Sequence, residues 1–335
     1  MKRWYILGFV GAVFIGILLH QYFWVYPTNK VGQFGITWAQ PYAESLGLNS
    51  QEGLIAALDD LGVRHFRIPA YWTTIEAERG KYQFRLIEEQ LDEIAKRNGR
   101  VLLVIGARQP RWPECWVPDW AKTISEQERA EAQLAYVRAT FEQFTDHPAV
   151  SAWQIENEPT LTWFMECPGL SRELVRSELN LVRRLELEDR PQNRRPIIMT
   201  YSGELSPWTT FAGASDQVGI SIYRVVRNPW LGIIRYWYFP ANFYNYRYRI
   251  AKHKTSEVIV TEFQMEPWTL GPLPNTPLDE QLETFDLEHM KSNLEFTERL
   301  DFNLIYFWGV EWWYWMKEKQ GKPEFWNLAK TIPWK

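Results

Sequence analysis

The sequence predicts an α/β protein, a (β/α)8 TIM barrel, preceded by one N-terminal transmembrane or signal-anchor segment. Short runs rich in β-branched residues alternate with amphipathic segments along most of the chain, which is typical of βα units around a parallel sheet. The length of 335 residues accommodates one barrel of about 250 residues together with its loops. An uncharged run near the N-terminus predicts the membrane segment.

Eight segments have the composition and length of barrel strands. They lie at Phe34–Trp38, Arg64–Ile68, Val101–Gly106, Val150–Ile155, Ile197–Thr200, Val218–Ile222, Val258–Thr261 and Asn303–Trp308. Eight βα units close naturally into a barrel, whose active site lies at the carboxyl ends of the strands. Residues that follow these strands are therefore the candidates for a functional site.

The helices between the strands have recognisable start signals. Ser125 with Glu128 predicts a capping box, and Thr276 followed by Pro277 and Asp279 predicts a cap, a first-turn proline and an acidic first turn. The segment 224–249 departs from the pattern because aromatic residues alternate with arginines. It is interpreted as an excursion over the barrel rim, or as a wall that contacts substrate or a membrane surface.

The N-terminal segment, residues 1–26, is interpreted as a signal anchor or signal peptide with an aromatic flank. Lys2 and Arg3 precede an uncharged run, Trp4 to Leu19, which is slightly shorter than the roughly 20 residues that span a bilayer. No small-residue cleavage pattern follows. We therefore expect a single-pass membrane protein with residues 27–33 as linker and residues 34–335 outside the cytoplasm, the alternative being secretion after cleavage.

Composition excludes some functions and leaves others open. The net charge of −4 and the pI near 5.9 provide no basic field for nucleic-acid binding. The 19 tryptophans, 16 tyrosines and 18 phenylalanines either fill a core or stack on sugar rings. The five histidines lack zinc-site spacing, so no metal and no cofactor is expected, and no obligate protein partner is evident.

Two acidic motifs carry the chemistry. The stretch WQIENEP, Trp153 to Pro159, places Asn157 and Glu158 directly after a strand, and EVIVTEFQ places Glu262 on another strand, 104 residues after Glu158. Two carboxyl groups on two strand ends suit glycosidic bond cleavage, where one protonates the leaving oxygen and the other attacks or activates the attacker.

In this strand context, and with an aromatic eighth strand, the chain from about Phe34 onward resembles the cellulase-like, clan A (β/α)8 glycoside hydrolases. The resemblance implies that Glu158 is the general acid/base and Glu262 the nucleophile. It also implies that Asn157 bonds the hydroxyl next to the reacting carbon. Because a nucleophilic carboxylate needs cationic or hydrogen-bonding neighbours, Arg67 is expected beside Glu262.

Further residues of the predicted site follow the same resemblance or the same rim. Tyr223 resembles the tyrosine that bonds the nucleophile, and Trp308 resembles the tryptophan beneath the reacting sugar. Trp38 and Trp112 are candidate substrate contacts, although each is as plausible as a structural residue. Cys115 and Cys167 lie in loops expected at the same end of the barrel, so they form either a disulfide or two free thiols.

The sequence thus predicts a retaining glycosidase that cleaves β-glycosidic bonds of an extracytoplasmic oligo- or polysaccharide. Retention requires carboxyl groups about 5 Å apart. Two alternatives stay open: a non-catalytic sugar-binding barrel, and a transglycosylase that uses the same two glutamates. The sugar, the linkage, endo or exo action and the oligomeric state are not determined by sequence patterns.

Overall fold

The computed structural model describes residues 32–161 and 167–334, together with eight positions near the N-terminus: Gly11, Val13, Ile15, Gly16, Leu19, His20, Tyr22 and Phe23. The predicted signal anchor, residues 1–26, therefore lies mostly outside the described residues. Among the residues that are described, no helix combines the length and the apolar character needed to cross a membrane.

A closed barrel of parallel strands forms the centre of the molecule, in the order β1-β10-β9-β6-β5-β4-β3-β2. Its strands are β1 (Gln33–Thr37), β2 (His65–Pro69), β3 (Arg100–Ile105), β4 (Val150–Ile155), β5 (Ile197–Ser202), β6 (Gln217–Ile222), β9 (Glu257–Gln264) and β10 (Leu304–Trp308). The two other strands, β7 (Val225–Asn228) and β8 (Gly232–Arg235), form an antiparallel hairpin. All eight predicted barrel strands are confirmed, with ends shifted by at most a few residues.

Helices surround the barrel. They are α1 (Gln40–Ser45), α2 (Ser50–Ala56), α3 (Trp72–Ile75), α4 (Arg85–Ala95), α5 (Asp119–Lys122), α6 (Glu126–Phe144), α7 (Arg172–Asp189), α8 (Ala241–Lys252), α9 (Leu278–Thr284), α10 (Leu287–Thr297), α11 (Val310–Glu318) and α12 (Glu324–Ala329). A π-helical turn, Ala57–Leu61, continues α2, and a 3-10 turn, Leu273–Asn275, precedes α9.

The apolar core has two parts. A small cluster fills the barrel interior and is built from alternate inward positions of five strands: Leu102, Ala152, Ile198, Ile259 and Tyr306. A much larger cluster lies between the outer faces of the strands and the helices. Polar side chains follow the inner cluster along the same strands, so the interior changes from apolar to polar toward the carboxyl ends.

Two helix starts test the predicted caps. The Ser125 hydroxyl accepts the Glu128 backbone N–H, and the reciprocal bond is present, which confirms the capping box. The second cap prediction was one residue early: Pro277, not Thr276, is the cap residue of α9, and no side chain bonds the helix end. The Thr276 hydroxyl instead donates to the Pro272 carbonyl at 3.1 Å, and Pro277, which has no N–H, only removes one of the unpaired donors at this helix start.

Candidate active site

The turn after β4 holds Glu158 in an unusual backbone conformation. Glu156 and Glu158 have φ angles of 58° and 47°, in the left-handed region that costs a non-glycine residue roughly 1–2 kcal/mol. Two bonds hold the turn: the Asn157 N–H donates to the Arg108 carbonyl at 2.6 Å, and the Glu158 N–H donates to the Thr200 hydroxyl at 2.9 Å. The strained turn directs Glu158 into the cleft between β4, β5 and β6.

A bulge in β9 directs Glu262 into the same cleft. Ile220 of β6 pairs with Val260, but the next residue, Ser221, pairs with Glu262, so Thr261 is an extra residue in β9. Side chains of a regular strand alternate between its faces, and the extra residue lets both Thr261 and Glu262 face inward. Sequence alternation alone does not reveal this reorientation.

Glu262 is held by two partners that the sequence predicted. The Arg67 Nη1 lies 2.7 Å from Glu262 Oε1, and the Tyr223 hydroxyl donates to Glu262 Oε2 at 2.9 Å. Burial, and then the charge of Glu262, raises the pKa of Tyr223 well above its ordinary value, so this hydroxyl keeps its proton. Each carboxylate oxygen of Glu262 therefore has a fixed donor.

The same arginine orients Asn157. Arg67 is fully buried, and its Nη2 donates to Asn157 Oδ1 at 2.8 Å, while its Nε donates to Gln154 Oε1 at 2.8 Å. Because Asn157 accepts through its oxygen, its NH2 group is the end available as a donor. One guanidinium thus links β2, β4 and β9 at the level of the two glutamates.

Glu158 has a different environment. Its carboxyl accepts the hydroxyl of Ser221, a residue on β6 that the sequence analysis missed. Burial, and next the negative charge of Glu262, raises the pKa of Glu158 to about 8, although the Ser221 bond acts in the opposite direction. Glu158 is therefore mainly protonated at neutral pH.

Glu156 lies beneath this site and has a structural role. It accepts the backbone N–H of Ala107 at 2.8 Å and the Gln133 amide at 2.9 Å. Gly106 makes room for it, because a Cβ at that position would lie 2.4 Å from Glu156 Oε1. Burial raises the pKa of Glu156 to about 7. The carboxyl group anchors the strained turn that carries Glu158.

Glu114 adds a third carboxyl group to the site. Its Oε2 accepts the Arg108 Nη2 at 2.8 Å, and Arg108 Nη1 donates to the Glu158 backbone carbonyl at 3.1 Å, so Arg108 links the Glu114 carboxyl group to the turn that carries Glu158. Burial raises the pKa of Glu114 to about 7, and the charge of Glu262 acts in the same direction. The sequence offered no signal for Glu114, since it follows no strand directly.

The two cysteines stabilise the loops beside this site. Cys115 and Cys167 form a disulfide across 52 residues of sequence, which confirms the paired alternative. The bond joins the loop after β3, which carries Arg108 and Glu114, to the segment that follows the Glu158 turn. It therefore restricts how far these two loops can separate.

The predicted aromatic contacts lie in three different environments. Trp308 ends β10, and the Arg111 guanidinium covers one of its faces at 3.8 Å, so at most the opposite face can meet a sugar. Trp112 is 71% exposed on the rim and stays a candidate contact. Trp38 is 1% exposed and packs in the core against Gly53 of α2, which favours its structural alternative.

Arg111 belongs to a second charged network next to Trp308. Its guanidinium is stacked between the rings of Tyr42 and Trp308 and forms ion pairs with Glu266 and Glu311. Glu311 also accepts the Ala39 N–H at 2.7 Å. These two acids are thus occupied by structural contacts. Among residues 32–161 and 167–334, no cluster of His, Cys, Asp and Glu side chains has the form of a metal site.

Known proteins resemble this chain in one segment of its sequence and in its fold. Residues 48–174 match a family model described as Beta-galactosidase, a segment that includes Arg67 and Glu158 but ends before Glu262. A search of curated proteins found no match.

Solved structures share the fold at low sequence identity. A β-galactosidase from the psychrophilic Marinomonas ef1 is 14% identical, with 82% of this chain and 53% of that chain covered and a TM-score of 0.55. A GH5_18 protein from Streptomyces cattleya in complex with GlcNAc is 14% identical, with 84% and 71% covered and a TM-score of 0.56. The exo-β-1,4-mannosidase Op5Man5 from Opitutaceae bacterium strain TAV5 is 14% identical, with 93% and 61% covered and a TM-score of 0.56.

The chain spans about half the length of the β-galactosidase it matches, 53% of that chain. What is shared is the parallel eight-stranded barrel, together with the matched segment that contains the Glu158 turn. The predicted resemblance is confirmed at this level: in its barrel and in its matched segment, the chain resembles the clan A (β/α)8 glycoside hydrolases.

Proposed function

We propose that this protein is a retaining glycoside hydrolase that cleaves β-glycosidic bonds with Glu158 and Glu262. The observation that carries the proposal is the difference between the surroundings of the two glutamates. Glu158 is buried with a pKa raised to about 8, whereas Glu262 forms an ion pair with Arg67 at 2.7 Å. A protonated acid beside a paired carboxylate is what double displacement requires.

In the first step of the proposed reaction, a Glu262 oxygen attacks the anomeric carbon of the sugar. The bond from that carbon to the glycosidic oxygen breaks, and Glu158 transfers its proton to the departing oxygen. Arg67 and Tyr223 hold the attacking carboxylate in place. The free NH2 group of Asn157, whose Oδ1 is bound by Arg67, donates to the neighbouring sugar hydroxyl.

In the second step, Glu158 is ionised and acts as a base. Esterification removes the negative charge of Glu262, which is one of the causes of the raised pKa of Glu158. Glu158 then takes a proton from water, the water oxygen bonds to the anomeric carbon, and the Glu262 carboxylate leaves. The two inversions together give retention of configuration.

We also propose that residues 1–26 anchor the enzyme in the cell membrane with the barrel outside the cytoplasm. The positively charged start followed by an uncharged run supports this orientation. The disulfide between Cys115 and Cys167 supports exposure to an oxidising compartment. The proposed substrate is accordingly an extracytoplasmic oligo- or polysaccharide.

Trapping of the covalent intermediate tests the mechanism. The protein is incubated with a panel of activated 2-deoxy-2-fluoro glycosides, and the mass of the intact protein and of its peptides is measured. We expect an adduct on Glu262, which also identifies a sugar that the site accepts. An adduct on another residue overturns the assignment, and glycan binding without any adduct supports the non-catalytic alternative.

Azide separates the roles of the two glutamates. In Glu158→Ala, azide takes the place of the base-assisted water and should give a glycosyl azide with retained configuration. In Glu262→Ala, azide attacks in place of the missing nucleophile and should give the inverted product. Because removal of general acid–base catalysis costs roughly 10²–10⁴-fold, the restored rate is readily measured. The opposite pairing of products would exchange the two assignments.

A further inference from the structure

The hairpin of β7 and β8 presents large apolar side chains to solvent. Trp230 and Leu231 form its tip and are 91% and 74% exposed, and Trp237, just after β8, is 69% exposed. The tip is ordered by its own contacts, because the Asn228 side chain accepts the N–H groups of Trp230 and Leu231 at 2.9 and 3.0 Å. An ordered turn that exposes adjacent large apolar residues is typical of an interaction surface.

Polar contacts fix the base of this hairpin. Arg227 pairs with Glu283 at 2.5 Å, and the Arg235 guanidinium contacts the His289 ring at 2.6 Å. These two arginines therefore hold the hairpin against the segment from α9 to α10. Both arginine side chains are engaged with the protein, whereas Trp230 and Leu231 at the tip are exposed to solvent.

The hairpin stands at the catalytic end of the barrel. It begins two residues after Tyr223, and the Gln264 side chain, two residues after Glu262, accepts the N–H groups of Arg224 and Val225 at 2.8 and 2.9 Å. The exposed tip and the two glutamates thus share one end of the molecule. A surface that the tip contacts lies on the side from which substrate enters.

Aromatic residues from the N-terminal segment contact this same region. The Tyr22 hydroxyl donates to the Tyr238 carbonyl at 3.0 Å, and the Phe23 ring stacks on Trp237 with centroids 6.5 Å apart. In the sequence, the uncharged run ends at Leu19, three residues before Tyr22. Tyrosine and tryptophan are the side chains that concentrate at the boundary between lipid and water.

We propose that Trp230, Leu231, Trp237 and Tyr238, here called the tip surface, insert into the lipid interface beside the N-terminal anchor. The open end of the barrel then faces the lipid headgroups. The substrate is accordingly a glycan carried by the membrane itself, not one free in solution. This inference deepens the proposed glycosidase and rests on it for the identity of the substrate.

Lipid contact is measured on the full chain in vesicles of phosphatidylethanolamine and phosphatidylglycerol. Because Cys115 and Cys167 are joined, a fluorophore can be placed on Trp230→Cys alone. The matched control is Leu187→Cys: Leu187 is 49% exposed near the end of α7, which returns to the opposite end of the barrel. Lipids with a nitroxide on the acyl chain should quench the label at position 230 several-fold more than the label at position 187.

Equal quenching at the two positions overturns the proposal. A label at position 230 that is shielded from water but not quenched also overturns it, since a second copy or another protein then covers the tip surface. This measurement needs no catalytic activity, so it decides lipid contact even where the glycosidase proposal fails.

The substrate class is tested with the sugar that forms the adduct, supplied as an alkyl glycoside in the same vesicles and as a soluble aryl glycoside. In the variant Trp230→Ser/Leu231→Ser, the rate of hydrolysis of the vesicle-borne glycoside should fall at least about tenfold, the factor that corresponds to 1.4 kcal/mol. Its rate on the soluble glycoside should be unchanged. A double variant that keeps the parent's rate on both glycosides, or that loses the same factor on both, contradicts a membrane-borne substrate.

Discussion

Glu158 and Glu262 bear the same functional group in two different electrostatic environments. Glu262 receives a guanidinium at 2.7 Å and a tyrosine hydroxyl at 2.9 Å, one on each oxygen. Glu158 accepts a neutral serine hydroxyl and faces the charge of Glu262, which adds to the effect of burial on its pKa. Few groups therefore determine which glutamate is the acid, and Ser221 is the one whose side chain bonds Glu158.

Replacement of Ser221 should shift the pH dependence of the reaction. The hydroxyl stabilises ionised Glu158, so Ser221→Ala raises the pKa of Glu158 further. The general acid works when protonated, and kcat/KM of the parent should fall as the pH rises through about 8. In the variant this alkaline limb should move to higher pH. The measurement is kcat/KM for a substrate with a poor leaving group, from about pH 5 to about pH 10.

Ser206→Ala is the matched control, because Ser206 is a buried serine whose hydroxyl has no hydrogen-bond partner in the described part of the chain. Its alkaline limb should coincide with that of the parent. With a substrate whose strongly activated leaving group needs no proton, the alkaline decrease of kcat/KM should be absent in the parent and in both variants. An alkaline limb that stays in place or moves to lower pH in Ser221→Ala would contradict the assigned acid.

At the scale of elements, the site depends on how two neighbouring strand ends fit together. Gly106 follows β3 with a φ of 127°, and Glu156 follows β4 with its carboxyl group against that glycine. Gly106→Ala should lower the free energy of unfolding by about 1–3 kcal/mol more than a control without the clash. It should also reduce kcat, because Glu156 anchors the turn that carries Glu158. Urea unfolding and steady-state rates measure the two effects.

Gly47→Ala provides the control, since Gly47 also has a positive φ, 71°, but no atom lies within 4 Å of the added Cβ. Its free energy of unfolding should fall by only about 1–2 kcal/mol, because alanine is strained in this backbone conformation. Its activity should be unchanged. If the two variants lose the same stability and both remain active, the Glu156 carboxyl group moves away from the added methyl group without an energetic penalty. Its anchoring role is then refuted.

The elements also show where sequence reasoning succeeds and where it ends. Hydrophobic runs and their spacing predicted all eight barrel strands, and the strand-end rule placed Asn157, Glu158 and Glu262 at one end of the barrel. The family resemblance added Arg67 and Tyr223 as partners of Glu262. The bulge at Thr261 was not predictable, because alternation within one strand does not report how its neighbours pair. The choice between the two alternatives for Trp38 was not predictable for a related reason: tertiary packing decides whether a strand-end tryptophan meets solvent.

For the molecule as a whole, the sequence did not predict the positions of the loop residues or the burial of the carboxyl groups. Arg111 and Glu114 have positive φ angles in a loop without periodicity, and only tertiary contacts explain their positions. The same holds for buried carboxyl groups. Burial raises the pKa of Glu114 and Glu156 to about 7, that of Glu158 to about 8 and that of Glu204 to about 6.

These raised pKa values make the stability of the fold depend on pH. Each group binds its proton more tightly in the folded chain than in the unfolded chain, where its pKa is near 4.5. Its contribution to stability is complete below that value and is lost as the pH rises through the folded pKa, here between about 6 and about 8. The free energy of unfolding should therefore decrease from mildly acidic to mildly alkaline pH.

Glu178→Gln should weaken this pH dependence. Glu178 lies on α7 and shares the Gln133 amide with Glu156, with N–O distances of 2.7 and 2.9 Å. Burial, and then the charge of Glu156, raises the pKa of Glu178 well above its ordinary value. Glutamine keeps the shape and the acceptor but never ionises. Relative to the parent, the free energy of unfolding of the variant should increase between about pH 5.5 and about pH 8.5, by on the order of 1 kcal/mol.

Glu186→Gln on the same helix is the matched control with the opposite expectation. Glu186 is also fully buried, but it pairs with Arg195 at 2.6 Å and accepts the Trp153 indole N–H. Loss of its charge leaves a buried arginine unpaired, which costs roughly 3–5 kcal/mol at both pH values. Urea unfolding at the two pH values distinguishes the variants. If Glu178→Gln gains no stability relative to the parent between the two pH values, Glu178 is already ionised in the fold, which contradicts its raised pKa.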